Sequence, residues 1–359
     1  MKRTLKFNLN LANTNKLNSL QDLVEEYKKS VNYYLNILSS SNKYILSQKE
    51  IKGFNSLLSY RYKQCAGRQA IKIWKSWRRN KKKGKLPEFN SSLILDRRFI
   101  EVEKAKNTSF DHWLKLSVLN KGKRILLPFK SYNYANRYFD NWNLISGGRI
   151  KFENGKWFLL LTFEKEMPLK KQNGRKIGID IGIKKLIVSS DKKEYGKDIE
   201  RLMDKIQIKQ QGSKAFKKAL KERDYYINRT VKELPFDDIS TIVMENIKNI
   251  KKNTKKDRKL RKEFRSKFQR WTYPLLMSRI NQMCELNSVY LHTVDPAWTS
   301  QTCSNCGFVH KLNRNGEGFL CRNCGYIEDA DFNASKNILK SYLAQQSMVA
   351  GSEQGNVCL

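Results

Sequence analysis

Long apolar runs are missing from this chain. No stretch approaches the ~18 apolar residues of a membrane-spanning helix, so no membrane partner is expected. The N-terminus, Met1-Lys-Arg-Thr-Leu-Lys-Phe, alternates like a strand and has no signal-peptide apolar core. Cysteine is scarce, with seven among 359 residues. Three of them, Cys65, Cys284 and Cys358, are scattered as in a reduced protein, so a cytoplasmic location is expected. His112, His292 and His310 are the only histidines, and each reads as an ordinary residue. Acid is also short: 34 Asp and Glu stand against 71 Lys and Arg, a formal charge of +37. A surface so unbalanced repels itself unless a polyanion neutralises it. With 40% hydrophobic and 11% aromatic residues the chain is nevertheless globular, not a disordered basic tail. Nucleic acid is the natural partner. The length suggests two to four modules, and no internal repeat is visible.

The other four cysteines form the most specific pattern. Cys303-Ser-Asn-Cys306 is followed after fourteen residues by Cys321-Arg-Asn-Cys324. Each pair is a tight turn presenting two thiolates, and four thiolates close a tetrahedron around one Zn²⁺, a zinc ribbon. Gly307 and Gly325 suit the turn after each pair. A four-cysteine site has no open position, so this zinc is structural and the chemistry lies elsewhere.

Hydrophobic periodicity divides the rest. Residues 3–9 read as a strand. From Thr14, Leu17, Leu20, Val24, Tyr27, Val31, Tyr34 and Leu38 make a helical stripe, and Leu58, Tyr62, Cys65, Gln69, Ile73 and Trp77 make a second. The second runs into Lys72–Lys85, with eight basic residues and no acid. From Phe89 the period drops to two. Strands are expected at 99–102, 113–118, 124–127, 149–152 and 157–163, as in a small antiparallel barrel. A third region opens with strands at 176–183 and 186–190, continues with basic helical sequence over about 200–233, and adds a strand at 239–244. Asn246–Arg270 then carries twelve basic residues and two acids. A helix over 271–286, a strand over 288–294, the ribbon and a helix from Ala334 to about Leu343 complete the chain. Lys72, Lys75, Arg78 and Arg79 in the first basic run, and Lys255, Lys256, Arg258, Arg265 and Arg270 in the second, are candidate nucleic-acid contacts. A lysine run is more often only a solvated face. Trp271, Tyr273 and Trp298 offer rings for base stacking, although aromatics at such positions more usually belong to a core.

Three carboxylates stand out. Asp180 sits within Ile-Gly-Ile-Asp-Ile-Gly-Ile, Glu245 follows Ile-Val-Met, and Asp331 begins a helix just after the ribbon. A carboxylate in an apolar strand costs several kcal/mol unless it is paired or binds a cation. Singly, each reads equally well as a capping or satisfied acid, and Asp331 suits a helix N-cap. Together they match the needs of two-metal phosphodiester chemistry, with a pair of Mg²⁺ ions held by hard oxygen ligands.

The order Gly-Ile-Asp180-Ile-Gly, Val-Met-Glu245-Asn, Thr299-Ser-Gln-Thr-Cys303-Ser-Asn-Cys306-Gly, Cys321-Arg-Asn-Cys324-Gly and Asp331-Phe-Asn333-Ala-Ser-Lys-Asn337-Ile resembles TnpB. This is the family of RNA-guided nucleases encoded by insertion sequences, related to the type V CRISPR effectors. The last third carries the specific match; the first half matches in architecture. The resemblance implies an α/β multidomain protein. A wedge β-barrel would span residues 1–12 and 89–170, and a helical recognition lobe residues 13–88. A RuvC-like RNase H fold would span 171–298 and 327–347, with the zinc ribbon inserted at 299–326 and a flexible tail at 348–359. It implies Asp180, Glu245 and Asp331 as the acidic triad. It also implies a guide RNA made from the transposon end, a double-stranded DNA target beside a short adjacent motif, and a monomer with one RNA. Gln64 is the nearest match to a motif-reading glutamine. Ala334-Ser335 stands where the family often has Ala-Ala, and the tail is shorter than usual; neither departure removes a carboxylate. Rival readings are a guided DNA-binding repressor without cleavage, a structural RNA-binding zinc-ribbon protein, and a DNA-joining transposase. The repressor would lose a triad acid, and the RNA-binding protein has no use for acids at strand ends.

Overall fold

The computed structural model describes residues 1–80, 84–86, 88–89, 92–119, 122–247 and 273–354, with side chains up to 348. The chain forms two compact units, Met1–Glu166 and Met167–Leu359.

The first unit opens with β1 (Lys2–Asn8) and α1 (Thr14–Ser40), whose first turn is capped by the Asn13 side chain. Leu20, Leu23, Tyr27, Val31, Tyr34, Leu35 and Leu38 line its buried face, as the three-and-four spacing dictates. The short α2 (Gln48–Lys52) and α3 (Tyr60–Arg79) follow. Seven strands and a helix come next: β2 (Leu93–Leu95), β3 (Ile100–Lys104), β4 (His112–Ser117), β5 (Arg124–Phe129), α4 (Asn133–Asn141), β6 (Asn143–Leu144), β7 (Gly148–Glu153) and β8 (Lys156–Glu164). The strands expected to make one small barrel fall into two antiparallel sheets, β1-β8-β7-β2 with β6 against β8, and β3-β4-β5. Helices and sheets share one hydrophobic core. Tyr62 shows how: its ring stacks on Phe99 at 3.6 Å, and its hydroxyl donates to the Ser117 carbonyl at 2.7 Å. Tyr27 donates to Gln69 Oε1 at 2.8 Å within the same core.

The second unit is built on a five-stranded sheet in the order β11-β10-β9-β12-β13. Its strands are β9 (Arg175–Asp180), β10 (Ile187–Ser189), β11 (Lys193–Tyr195), β12 (Ile239–Glu245) and β13 (Tyr290–Val294). β9, β12 and β13 run parallel, whereas β10 pairs antiparallel with both β9 and β11. All but the last residue of β12 are buried, Ser240 and Thr241 included, which explains why it shows no alternation of apolar and polar residues. The helices α5 (Ile199–Gln207), α6 (Lys214–Lys232) and α7 (Tyr273–Leu286) pack on this unit's main core. The ribbon holds β14 (Arg314–Asn315), β15 (Gly318–Leu320) and β16 (Ile327–Asp329) in a small sheet.

The final helix, α8 (Ala330–Gln354), differs from expectation at both ends. It starts four residues before Ala334, so Asp331 lies inside the first turn. The capping role expected of Asp331 belongs to Asp329, whose Oδ1 accepts the Asp331 and Phe332 N–H groups at 2.9 and 3.2 Å. Its backbone also continues into the segment expected to be a flexible tail, since Ser347, Met348, Val349 and Ala350 do nothing to break a helix. The helix crosses β9 over Gly178. A Cβ there would collide with the Ser335 carbonyl and lie 2.8 Å from the Leu339 backbone nitrogen. Gly178→Ala should therefore destabilise the second unit by about 1–3 kcal/mol, the range for overpacking. A lower urea midpoint with an unchanged slope checks it; an unchanged midpoint would show that the helix is not seated this closely.

Candidate functional site

Two clusters are built around α8: an acid cluster at its start and a thiol cluster in the ribbon. Asp180 ends β9 and Glu245 ends β12. These strands are parallel neighbours, with Met244 paired to Ile179, so both acids emerge at the same edge of the sheet. Brought out by α8's first turn, Asp331 completes the group. All three side chains are partly buried. The Asp180 carboxyl is pushed up to about 7, first by burial and then by the negative charges of Glu245 and Asp331. Burial likewise raises Glu245, against the pull of a Thr299 hydrogen bond and of Arg314. Thr299 Oγ1 donates to Glu245 Oε1, and the Tyr273 hydroxyl donates to the Glu245 carbonyl at 3.2 Å. Arg314, from the ribbon hairpin, reaches Asp331 Oδ1 at 3.0 Å. Lys185 bridges Glu194 at 2.7 Å and Asp329 at 2.9 Å, tying the turn after β9 to the start of α8.

The cluster is open rather than collapsed. Among the described residues, only the four cysteines bring three or more ligand atoms within 4.8 Å of one another. Three carboxylates with one guanidinium leave excess negative charge, and the donors are all carboxylate oxygen. That is the chemistry hard divalent cations take.

In the ribbon, Cys303 Sγ lies 3.8 Å from Cys324 Sγ, and Cys306 Sγ lies 3.6 Å from Cys321 Sγ. A tetrahedron of Zn–S bonds of about 2.3 Å has S–S edges of about 3.8 Å, so the four sulfurs fit zinc. The two halves repeat the same turn. Gly307 N–H returns to the Cys303 carbonyl at 2.9 Å and Gly325 N–H to the Cys321 carbonyl at 3.0 Å, with φ of 79° and 71°. Cys306 is lowered to about 6, chiefly by the Phe308 backbone N–H, while burial lifts Cys303 to about 11. His310 stands outside the thiol cluster; its Nδ1 accepts the Leu312 N–H at 3.3 Å. Two buried asparagines of α8 anchor the ribbon. Asn333 takes the Ser304 N–H on Oδ1 and gives Nδ2 to the Thr302 carbonyl, both at 2.8 Å. Asn337 donates to the Thr299 and Thr302 carbonyls at 2.9 and 2.6 Å.

The nucleic-acid candidates divide. Lys72, Lys75 and Arg79 are exposed on α3, at spacings that share one helix face. Arg78 is engaged internally, over the Trp74 ring at 5.6 Å and donating to the Tyr44 hydroxyl at 3.1 Å. Gln64 is half-buried, and its Oε1 accepts from Arg61, which pairs with Asp96 at 2.8 Å. Lys255, Lys256, Arg258, Arg265, Arg270 and Trp271 lie outside the described residues. Sequence reasoning gave no role to Arg314, Thr299 or Lys185. Thr299 beside the first CxxC pair was a visible signal; Arg314 and Lys185 look like any other basic residue until the fold brings them in.

Residues 273–338 match the family model described as the Cas12f1-like TNB domain. The chain is 35% identical over 146 residues to the CRISPR-associated endodeoxyribonuclease Cas12f1 of Sulfoacidibacillus thermotolerans, covering 40% of this chain and 29% of that protein. It is 26% identical over 230 residues to the CRISPR-associated endodeoxyribonuclease Cas12f2 of Micrarchaeota archaeon (strain CG1_02_47_40), covering 55% and 42%. The matched stretches thus span less than half of these relatives. Among solved structures, the fold is similar to that of Cas12f1 in a complex with sgRNA and target DNA. The TM-score is 0.56 at 16% identity, over 89% of this chain and 81% of that one. The chain is thus related in sequence and in fold to type V CRISPR effectors. Among the described residues no helix is long and apolar enough to cross a membrane.

Two outcomes follow from the clusters. Replacing any one of Cys303, Cys306, Cys321 and Cys324 by Ser should lower bound zinc from one per chain to near zero and lower Tm, as metal analysis and thermal melts will read. Zinc-free wild-type protein of equal stability would contradict this. The second concerns Asp180, whose folded pKa lies above its unfolded value of 3.8. The folded state therefore binds the extra proton between those values. Its carboxylate destabilises the fold increasingly as pH rises from about 4 to 7, and fully above that. Without added magnesium, Asp180→Asn should raise Tm, and more at pH 8 than at pH 5.5; an equal or reversed difference would rule out this burial penalty.

Proposed function

We propose that this chain is an RNA-guided DNA endonuclease of a transposable element. It cuts double-stranded DNA beside a short adjacent motif by two-metal hydrolysis on a RuvC-like RNase H fold. The observation that carries the reading is the convergence of Asp180, Glu245 and Asp331 from two parallel strand ends and one helix start. Two Mg²⁺ ions bound there would activate the attacking water and stabilise the leaving 3′-oxygen. The side chains perform the positioning. Thr299 orients Glu245 by its hydrogen bond, and Lys185 holds Asp329, which in turn fixes the backbone of Asp331. Arg314 offsets part of the carboxylate charge and can meet a scissile phosphate as well as Asp331. Zinc held by the four cysteines would fix the ribbon that delivers Thr299 and Arg314.

The charge of +37 supports a guide RNA and a DNA target as partners. Lys72, Lys75 and Arg79 on α3 are proposed contacts to the phosphate backbone, whereas Gln64 would have to leave Arg61 to read a base. In this reading base pairing supplies sequence specificity, and the protein holds the heteroduplex by shape and charge.

The test has two parts. RNA that copurifies with the protein should be one non-coding species ending in a variable segment, and the purified complex should cut DNA matching that segment. Asp180→Ala, Glu245→Ala or Asp331→Ala should each lower cleavage by more than about a hundredfold, beyond the 10–100-fold typical of outer-shell metal partners. Guided binding in gel shifts should stay nearly intact. Activity should need Mg²⁺ or Mn²⁺ and fail with Ca²⁺, whose looser geometry misplaces the water. Full cleavage by all three variants would refute the metal reading, and cutting of one fixed sequence by RNA-free protein would refute guidance.

A further inference from the structure

After β13 the chain leaves the sheet beside the acid cluster, because Val294 is the register partner of Glu245. Four residues later stands Trp298, with 63% of its surface exposed and a backbone φ of 65°. Both facts need an explanation. Left-handed φ is unusual for any residue with a side chain and a true outlier for a bulky one; glycine or asparagine would sit there with little strain. An indole left mostly exposed gains little burial in return. Core packing, the usual reason for a tryptophan, does not apply, and among the described residues no ring stacks on it.

The strained turn is firmly held. The Trp298 carbonyl accepts the Gln301 and Thr302 N–H groups, each at 2.9 Å, and Thr302 Oγ1 at 2.8 Å. On its other side Asp295 Oδ1 accepts the Ala297 N–H at 2.9 Å. The very next residue is Thr299, the hydrogen-bond donor to Glu245. The indole is thus fixed to the same short segment that orients a carboxylate of the acid cluster. Strain that the surroundings over-determine, at such a place, points to function.

The geometry points to Trp298 as a stacking platform for one unpaired nucleobase of the DNA strand presented to the acid cluster. An aromatic face stacks on any base without regard to sequence, which suits a nuclease whose target is set by a guide. In a duplex both faces of a base are already covered, so the ligand is a base of a single-stranded segment. The platform would hold the strand so that a neighbouring phosphodiester lies at the carboxylates. This inference rests on the nuclease reading above, and its test separates the two.

The full-length, RNA-bound protein is used throughout. Trp298→Ala should slow single-turnover cleavage by roughly 5–150-fold, the value of one base–aromatic stack, with guided DNA affinity changed less than twofold. Trp298→Phe should recover most of the rate. Trp298→Gly should melt higher than wild type yet cut slowly, since it relieves the strained φ while removing the ring; a lower Tm would mean that the indole serves the fold and would overturn the proposal. An abasic site scanned along the cut strand should slow the wild type at one position and add nothing to Trp298→Ala. Independently of cleavage, 2-aminopurine at that position should be quenched in the Asp180→Ala complex and regain its fluorescence in Asp180→Ala/Trp298→Ala. Undiminished cutting by Trp298→Ala, or unchanged 2-aminopurine fluorescence, would overturn the stacking site while leaving the nuclease intact. A wild type that binds and quenches but never cuts would instead overturn the nuclease.

Discussion

The parallel pairing of β9 with β12 is the constraint on which the second unit depends. It sets Asp180 and Glu245 at the same end of adjacent strands, where their charges oppose each other. Hydrophobic burial of Ile177, Ile179, Ile242 and Met244 holds that pairing against the repulsion. The cost is visible in the Asp180 carboxyl, which burial and two neighbouring acids hold near 7. A protein that needed only a stable sheet would place apolar or paired side chains at those strand ends.

Everything around the acids limits their freedom. The approach of α8 to β9 is set by Gly178, since any side chain there would push the helix away and carry Asp331 with it. Asp329 caps the helix and is held by Lys185, so the β9–β10 turn and the helix start move as one. Asn333 and Asn337 fasten the ribbon's first turn to α8 by four hydrogen bonds to backbone groups. The ribbon thereby fixes both Thr299 and Arg314 at the acid cluster. Zinc held by the four cysteines would thus matter to the acid cluster without touching it.

Much of this was legible in the sequence, for physical reasons that differ by element. The strand at 156–164 and the helices from Thr14 and Tyr60 announced themselves because burial is one-sided and periodic along them, and the strand at 239–245 because six consecutive residues are buried. The cysteine cluster was readable because metal ligation demands fixed spacing within a few residues. Convergence of the three acids was inferred from residue type and order, and the sheet register supplies the adjacency of two of them. Elements too short for a period escaped notice: β2, β11, α2 and the ribbon strands. α4 lay hidden among strands, because Tyr134, Tyr138 and Trp142 favour a sheet as readily as a helix. Pairwise contacts were not legible at all. Nothing local distinguishes Arg314 from 70 other basic residues, and nothing marks Asp329 above Asp331 as the cap.

The two charge patterns of the chain also explain each other. A net charge of +37 draws any polyanion to the surface at rates and affinities that salt will weaken, but it selects no sequence and cuts no bond. The same field steadies the acids: Arg314 lowers both Asp180 and Glu245 against the burial that raises them. A negative cluster in a positive surface would then repel phosphate unless cations filled it. In the function proposed above, binding would belong to the many dispersed lysines and arginines, and reaction to three carboxylates that need metal. Such a division would let a nuclease grip nucleic acid broadly while cutting only where a strand is led into one small, oppositely charged place.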